Sequence, residues 1–133
     1  MDQSIIISVN HLTKFYGKTL GVQDLNFSVS QGEVFGFLGP NGAGKTTTIR
    51  MLLDLLRPSY GQIHIFGKEI YDHSLEIRRR SGYLPGNFSA YGNMTGIDFL
   101  RFAGSMRRTS PKLQSSLIDR FQLSKEDLSR PPR

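Results

Sequence analysis

The sequence contains no cysteine. Disulfides and thiolate metal sites are therefore excluded. It contains no run of 18 or more apolar residues, so no segment reads as a membrane-spanning helix. The opening stretch, MDQSIIISVN, carries an acid where a secretory leader carries bases, and its apolar run is short. Internal repeats and low-complexity segments are also missing. Acidic side chains are scarce: 11 Asp and Glu stand against 17 Lys and Arg, a formal net charge of +6. These absences lead to the expectation of a soluble cytoplasmic chain. What remains, 133 residues of which 38% are hydrophobic, suffices for one packed domain.

The positive charge is uneven. Residues 101–133 hold eight Lys or Arg (Arg101, Arg107, Arg108, Lys112, Arg120, Lys125, Arg130 and Arg133) and three acids, Asp119, Glu126 and Asp127. Such a surplus suits an anionic partner, nucleic acid or a membrane surface, or else a set of solvated helix faces. The second reading is favoured, because the segment lacks the interleaved base-stacking aromatics of a single-strand binder. Arg78-Arg79-Arg80 closes a short predicted helix, where cations complement the helix dipole. No nucleic-acid partner is expected.

Hydrophobic periodicity divides the chain. Residues 4–9, SIIISV, read as a strand. Residues 19–29 alternate through Val22, Leu25, Phe27 and Val29, as a half-buried strand does. Residues 33–38, EVFGFL, form an apolar run that suits a buried parallel strand. From Lys45 the period changes, and Ile49, Leu52, Leu53 and Leu56 mark one face of a helix that Arg57-Pro58-Ser59-Tyr60-Gly61 ends. Residues 62–66 read as a strand, 73–80 as a short helix and 82–84 as a short strand. GNFSAYGN, after Pro85, reads as loop. Thr95, with Asp98 three positions on, opens a helix to about Met106. Ser110-Pro111 opens another to about Phe121. The last residues, SRPPR, read as unstructured. The pattern is α/β at first and all-helical from about residue 94.

Between the 33–38 run and the helix stands GPNGAGKT, residues 39–46, which fits G-x-x-x-x-G-K-[ST]. Each residue type has a reason. Glycines let the backbone take positive φ and approach an anion closely. Successive N–H groups then point inward at the positive end of the following helix. Lys45 places a point charge on β- and γ-phosphates, and the Thr46 hydroxyl is a hard oxygen ligand for Mg²⁺. A strand before the loop and a helix after it separate this motif from a chance glycine-rich turn. Nucleotide binding is expected.

Four stretches in order carry a family resemblance. Leu12-Thr13-Lys14-Phe15-Tyr16-Gly17 resembles the A-loop of ABC transporter ATP-binding subunits. Gly39 to Thr47, GPNGAGKTT, resembles their Walker A wording. Pro58 to Gly67, PSYGQIHIFG, is similar to a P-x-x-G-x-I-x-x-x-G stretch of the family, and GYLP, residues 82–85, to the lead into its Q-loop. The resemblance runs from about residue 5 to 125. It implies a P-loop NTPase core in two parts: a β-rich and P-loop part over 1–93, and the start of the helical subdomain over 94–133, cut short before the signature. It implies ATP and Mg²⁺ as cofactors, with Tyr16 stacking on adenine. Gly39, Asn41, Gly42, Gly44, Lys45, Thr46 and Thr47 would hold phosphates, and Thr46 would hold the metal. The helix from Thr95 would lie near the groove that receives a coupling element from membrane subunits. Phe99, Leu100 and Phe102 on it read as ordinary packing. The implied partners are those membrane subunits, exporter-type, and a second nucleotide-binding subunit. The implied location is peripheral, on the cytoplasmic face of the cell membrane.

One position departs from the pattern. Gly86 stands where many relatives carry Gln, so a metal contact from that side chain is in doubt. The spacing from Lys45 to Gly86, 41 positions, is compact, unlike the long insertions of DNA-repair and chromosome-structure relatives.

The parts that hydrolyse ATP are expected to be missing. The family takes a Mg²⁺ carboxylate and a base from four apolar residues followed by Asp and Glu. Ser116-Leu117-Ile118-Asp119 has too few apolar residues, sits in a predicted helix and precedes Arg120. Leu123-Ser124-Lys125-Glu126 starts like the signature but lacks its glycines. His11, His64 and His73 read as surface or strand residues, not as the family's switch histidine. No catalytic residue is therefore assigned in this chain, and a homodimer would lack a complete site. The alternative function is a non-catalytic nucleotide-binding or interaction fragment. Strand 33–38 would also lack its usual sheet neighbours, which predicts marginal stability and aggregation of the chain alone.

Overall fold

The computed structural model describes residues 4–86, 94–106 and 113–130. The chain opens with a long antiparallel hairpin. Strand β1, Ile5–Tyr16, and strand β2, Thr19–Ser30, pair from Ile5↔Ser30 to Tyr16↔Thr19 across the turn Gly17-Lys18. Strand β3, Tyr60–Ile65, lies antiparallel on the other side of β1, and the two-residue strand β4, Lys68–Glu69, pairs with β3. The sheet order is β2-β1-β3-β4.

Two bulges set which side chains face inward. Between Val9↔Phe27 and Leu12↔Leu25, β1 spends one residue more than β2; between Leu12↔Leu25 and Lys14↔Val22, β2 spends one more. A strict period of two from Ile7 and Val9 would turn residue 11 inward. The bulge instead turns Leu12 inward, at 0% exposure, and leaves His11 outside. His11 and Asp24 take the bulge positions with φ of 50° and 44°. From the sequence only 4–9 reads as a strand; the shifted phase hides the alternation over its continuation to Tyr16.

Helix α1, Lys45–Leu52, buries Thr48 and Met51. They join Val9, Leu12, Val22, Ile63, Ile65, Ile70 and Ile77 as the buried residues. Of the expected helical face through Ile49, Leu52, Leu53 and Leu56, Leu52 and Leu56 pack against this core, but α1 ends at Leu52, and Met51, not Ile49, is fully buried. Asp54 stops the helix in the left-handed region at φ 50°. Its N–H donates to the Met51 carbonyl at 3.1 Å and that of Leu55 to the Arg50 carbonyl at 2.9 Å, the Schellman pattern with Asp54 in glycine's usual place. The β3–β4 turn, Phe66-Gly67, has φ of 55° and 74°, as the primed hairpin turns require. Helix α2, Ser74–Arg80, follows, burying Ile77. Its Arg80 guanidinium lies 3.9 Å over the Phe66 ring.

The 33–38 run is not a strand. Its composition suits one, but a strand needs a ladder partner, and among the described residues none runs beside it. Phe35 and Phe37 pack with Phe27 of β2, at centroid distances of 5.2 and 5.8 Å. Val34 and Leu38 stand 99% and 93% exposed. The short strand expected at 82–84 is likewise absent; those residues have no regular structure.

The chain divides into two compact units, residues 1–83 and 84–133. The second is helical. Helix α3, Gly96–Met106, opens as expected: the Thr95 hydroxyl accepts from the Asp98 N–H at 3.3 Å and donates to its carboxylate at 2.6 Å. Helix α4, Gln114–Arg120, covers much of the helix expected to Phe121; its proposed Ser110-Pro111 start, like most of the loop expected at 86–93 and the end of SRPPR, lies outside the described residues. Helix α5, Lys125–Ser129, was not foreseen, although Ser124 and Asp127 form a reciprocal capping box at its start. Gly96 at the start of α3 lies beside α5: a Cβ there would stand in ordinary van der Waals contact, 3.4 Å, with the Leu128 backbone.

Candidate functional site

Loop 39–44 leads into α1. Gly42 and Gly44 have φ of 86° and 83°, open to glycine at no steric cost. Gly44 is the N-cap of α1 and no side chain caps that end. No acidic residue lies in the first turn. The unpaired N–H groups and the positive end of the helix therefore face no carboxylate. Gly44 also needs room, since a Cβ on it would stand 2.7 Å from both the Gly21 carbonyl oxygen and Val22 Cγ2.

Lys45, the first residue of α1, folds back over the loop. Its ammonium donates to the carbonyl oxygens of Gly39 and Pro40, the latter at 2.7 Å. Both partners are carbonyls, so among the described residues its positive charge is solvated by dipoles and not cancelled by an anion. The Thr48 hydroxyl and N–H both donate to the Gly44 carbonyl, at 3.0 and 2.8 Å, and fasten the first turn to the loop. Thr48 is 1% exposed. The sequence reading passed over it, because nothing in the motif separates a structural third threonine from the two before it.

Tyr16 reaches this loop from the end of β1. Its hydroxyl lies 3.2 Å from Thr47 Oγ1, and Lys14 Nζ stands 5.6 Å from its ring centroid. Lys14 is itself held by the Arg57 carbonyl at 2.7 Å. Between Tyr16 and the loop is a cleft of about 360 Å³. Of the expected residues, Tyr16, Asn41, Gly42, Gly44, Lys45, Thr46 and Thr47 line it. Gly39 does not; it supplies a carbonyl to Lys45. Thr19, Leu20 and Gly21 line it too and were missed, since hairpin residues carry no phosphate-binding signature and enter only through the pairing of Tyr16 with Thr19.

The arrangement is a positive, glycine-lined cradle beside a half-exposed aromatic ring, with chemistry suited to a polyanion that carries a flat apolar group. For a divalent cation it offers the Thr46 hydroxyl. Among the described residues no group of three His, Cys, Asp or Glu could hold a metal. Such an ion would take its other ligands from phosphate oxygens and water, as Mg²⁺ does in phosphate sites. Asp119 lies on α4, exposed, and Gly86 has no side chain to offer. No described helix is long and apolar enough to cross a membrane.

Known proteins resemble this chain in sequence and in fold. The ABC transporter family matches residues 22–129. The bacitracin transport ATP-binding protein BcrA of Bacillus licheniformis is 51% identical over 97 residues, covering 73% of this chain and 32% of BcrA. The probable multidrug ABC transporter ATP-binding protein YbhF of Escherichia coli K12 is 39% identical over 116 residues, 87% of this chain and 20% of YbhF. A solved ATP-binding subunit of an ABC transporter superposes with a TM-score of 0.79 at 30% identity, over 96% of this chain and 54% of that one. This chain thus spans about a third or less of the two curated relatives and about half of the solved subunit. With the phosphate loop and the first helix both falling within a match that spans residues 22–129, the chain belongs to the ABC transporter family.

Proposed function

We propose that this chain binds Mg²⁺-ATP as part of the energy-supplying subunit of an exporter-type ABC transporter. The observation that carries the reading is the meeting of Tyr16 with the phosphate loop: its hydroxyl lies 3.2 Å from Thr47, at one end of the cleft that Lys45 and Thr46 also line. In this reading Tyr16 takes the adenine on its ring face. Asn41, Gly42 and Gly44 cradle the phosphates with backbone N–H groups. Lys45 leaves the Gly39 and Pro40 carbonyls and neutralises phosphate charge, and Thr46 holds Mg²⁺. The metal, when bound, supplies charge neutralisation between phosphate oxygens. The names of relatives that act in bacitracin and multidrug transport favour export as the process.

The proposed partners are membrane permease subunits and a second nucleotide-binding subunit, with the chain peripheral on the cytoplasmic face. The proposed division is a nucleotide-receiving part over 1–93 and a helical part over 94–133. A second reading is a nucleotide-binding fragment without turnover of its own. It is favoured by the lack, in this sequence, of an apolar run ending in Asp-Glu.

The test is a thermal melt with and without Mg²⁺-ATP, for the chain and for Lys45→Ala. At about 100 times its dissociation constant the ligand adds roughly 2.7 kcal/mol to a folded binder. A shift that Lys45→Ala removes supports the reading; no shift at any concentration sinks it. Neither reading expects phosphate release from this sequence alone, so the two are separated by mixing it with a full-length subunit of the family and assaying phosphate release, which the second reading leaves without any contribution from this chain.

A further inference from the structure

Gly21 lies on β2 against the ring of Tyr16. Its φ lies outside the left-handed region, so backbone conformation does not call for glycine there. Space does. A Cβ at this position would stand 2.8 Å from Tyr16 Cε2, 3.1 Å from Cδ2 and 3.4 Å from the Lys14 carbonyl oxygen. The first distance is far inside van der Waals contact. The same residue presents its carbonyl oxygen to Gly44, close enough that a Cβ on Gly44 would meet it at 2.7 Å. One glycine therefore touches both halves of the cleft, the aromatic ring and the start of α1.

We infer that Gly21 is a positioning residue for the base of a bound purine nucleotide: by leaving its Cβ space empty it lets the Tyr16 ring settle on β2. Settled there, the ring has its hydroxyl within 3.2 Å of Thr47. The distance between the stacking surface and the phosphate loop is then fixed. Tyr16 remains 47% exposed, which leaves apolar surface for a base. A side chain at 21 moves a ring, the free end of a side chain, more easily than it moves backbone. It lifts Tyr16 off β2 and away from Thr47 without unfolding the hairpin. Base recognition suffers and phosphate recognition does not.

This inference rests on the Mg²⁺-ATP reading, and its test keeps the two apart. Dissociation constants are measured for Mg²⁺-ATP and for Mg²⁺ with inorganic triphosphate, which has no base. The proteins are the unaltered chain, Gly21→Val, Gly21→Ala, Tyr16→Ala and the double variant Gly21→Val with Tyr16→Ala. Base–aromatic stacking is strong enough that Gly21→Val should weaken ATP binding roughly tenfold and leave triphosphate binding unchanged. Gly21→Ala should fall between, and it carries the test if the valine variant does not fold. In the Tyr16→Ala background Gly21→Val should cost nothing further, because the glycine acts through the ring. Equal losses for ATP and triphosphate, or a loss that persists without Tyr16, overturn the inference. So does tight ATP binding by Gly21→Val. If the unaltered chain binds neither ligand, the nucleotide reading itself falls and takes this inference with it.

Discussion

His11 Nδ1 lies 2.7 Å from Oδ1 of Asp24, and each residue stands at the bulge of its own strand with positive φ. The contact ties two local irregularities into one crossing of the hairpin. Asn26 completes it: its amide donates to the Asp24 carboxylate at 3.2 Å, while its carbonyl accepts the His11 N–H at 2.7 Å. The hydrogen bond from His11, then that from Asn26, hold the Asp24 carboxyl below its ordinary value of 3.8. A carboxylate with a depressed folded-state value contributes stability above its unfolded value, and that contribution is lost as pH falls through the folded one. The stability difference between the unaltered chain and Asp24→Asn should therefore be constant at mildly acidic pH and shrink once pH drops below about 4. Urea melts at several pH values measure it; a difference that grows on acidification contradicts the assignment.

Leu12 is where the bulge has its energetic consequence. It is wholly buried among Val9, Val22, Ile63 and Met51, whereas Leu20, on the same hairpin, is 45% exposed. Leu12→Ala should cost about 2–5 kcal/mol, from lost burial and the cavity left behind. Leu20→Ala should cost well under about 1 kcal/mol. Denaturant midpoints compare the two. Equal costs would mean that residue 12 does not face the core and that the bulge is elsewhere.

The same residues show how far sequence reasoning reaches. The phosphate loop was legible because its chemistry is local: glycine at positive φ, a lysine and a threonine at fixed spacing suffice to name it. Tyr16 was legible only through family resemblance, for nothing in its own neighbourhood says that β1 carries it to Thr47. Helix α1 was read four residues too long, since Leu53 and Leu56 continue an apolar period that Asp54 breaks by taking a left-handed conformation usual for glycine. The run at 33–38 has every local mark of a buried strand, yet pairing is non-local, and composition cannot supply the neighbour. Helix α5 was announced by Ser124 and Asp127 but is only five residues long, too short for periodicity to register.

Val34 and Leu38 are the exposed side of that unpaired run. They contribute little burial, at 99% and 93% exposure, while offering apolar surface to other molecules. Val34→Lys with Leu38→Lys should change unfolding stability by no more than about 0.5 kcal/mol and reduce self-association. Light scattering during concentration, alongside a denaturant melt, reads both. A large loss of stability would show that these side chains are buried in the folded protein, and unchanged association would place the sticky surface elsewhere.

Gly44 tests whether the cradle is shaped by backbone rather than by side chains. An added methyl meets two obstacles at once. The residue's φ of 83° is costly for any L side chain, and its Cβ would press on the Gly21 carbonyl oxygen and Val22 Cγ2 at 2.7 Å. The carbonyl belongs to a paired strand and cannot swing aside as a side chain can. Gly44→Ala should therefore destabilise the chain without ligand by more than about 1 kcal/mol, and it should abolish triphosphate binding as well as ATP binding. Lys45→Ala removes only a charge that rests on two carbonyls, so it should weaken both ligands while leaving the ligand-free melt within about 0.5 kcal/mol. The contrast separates shape from charge. If Gly44→Ala melts like the unaltered chain, the loop can relax away from β2, and the close contact with Gly21 does not hold the cradle in place.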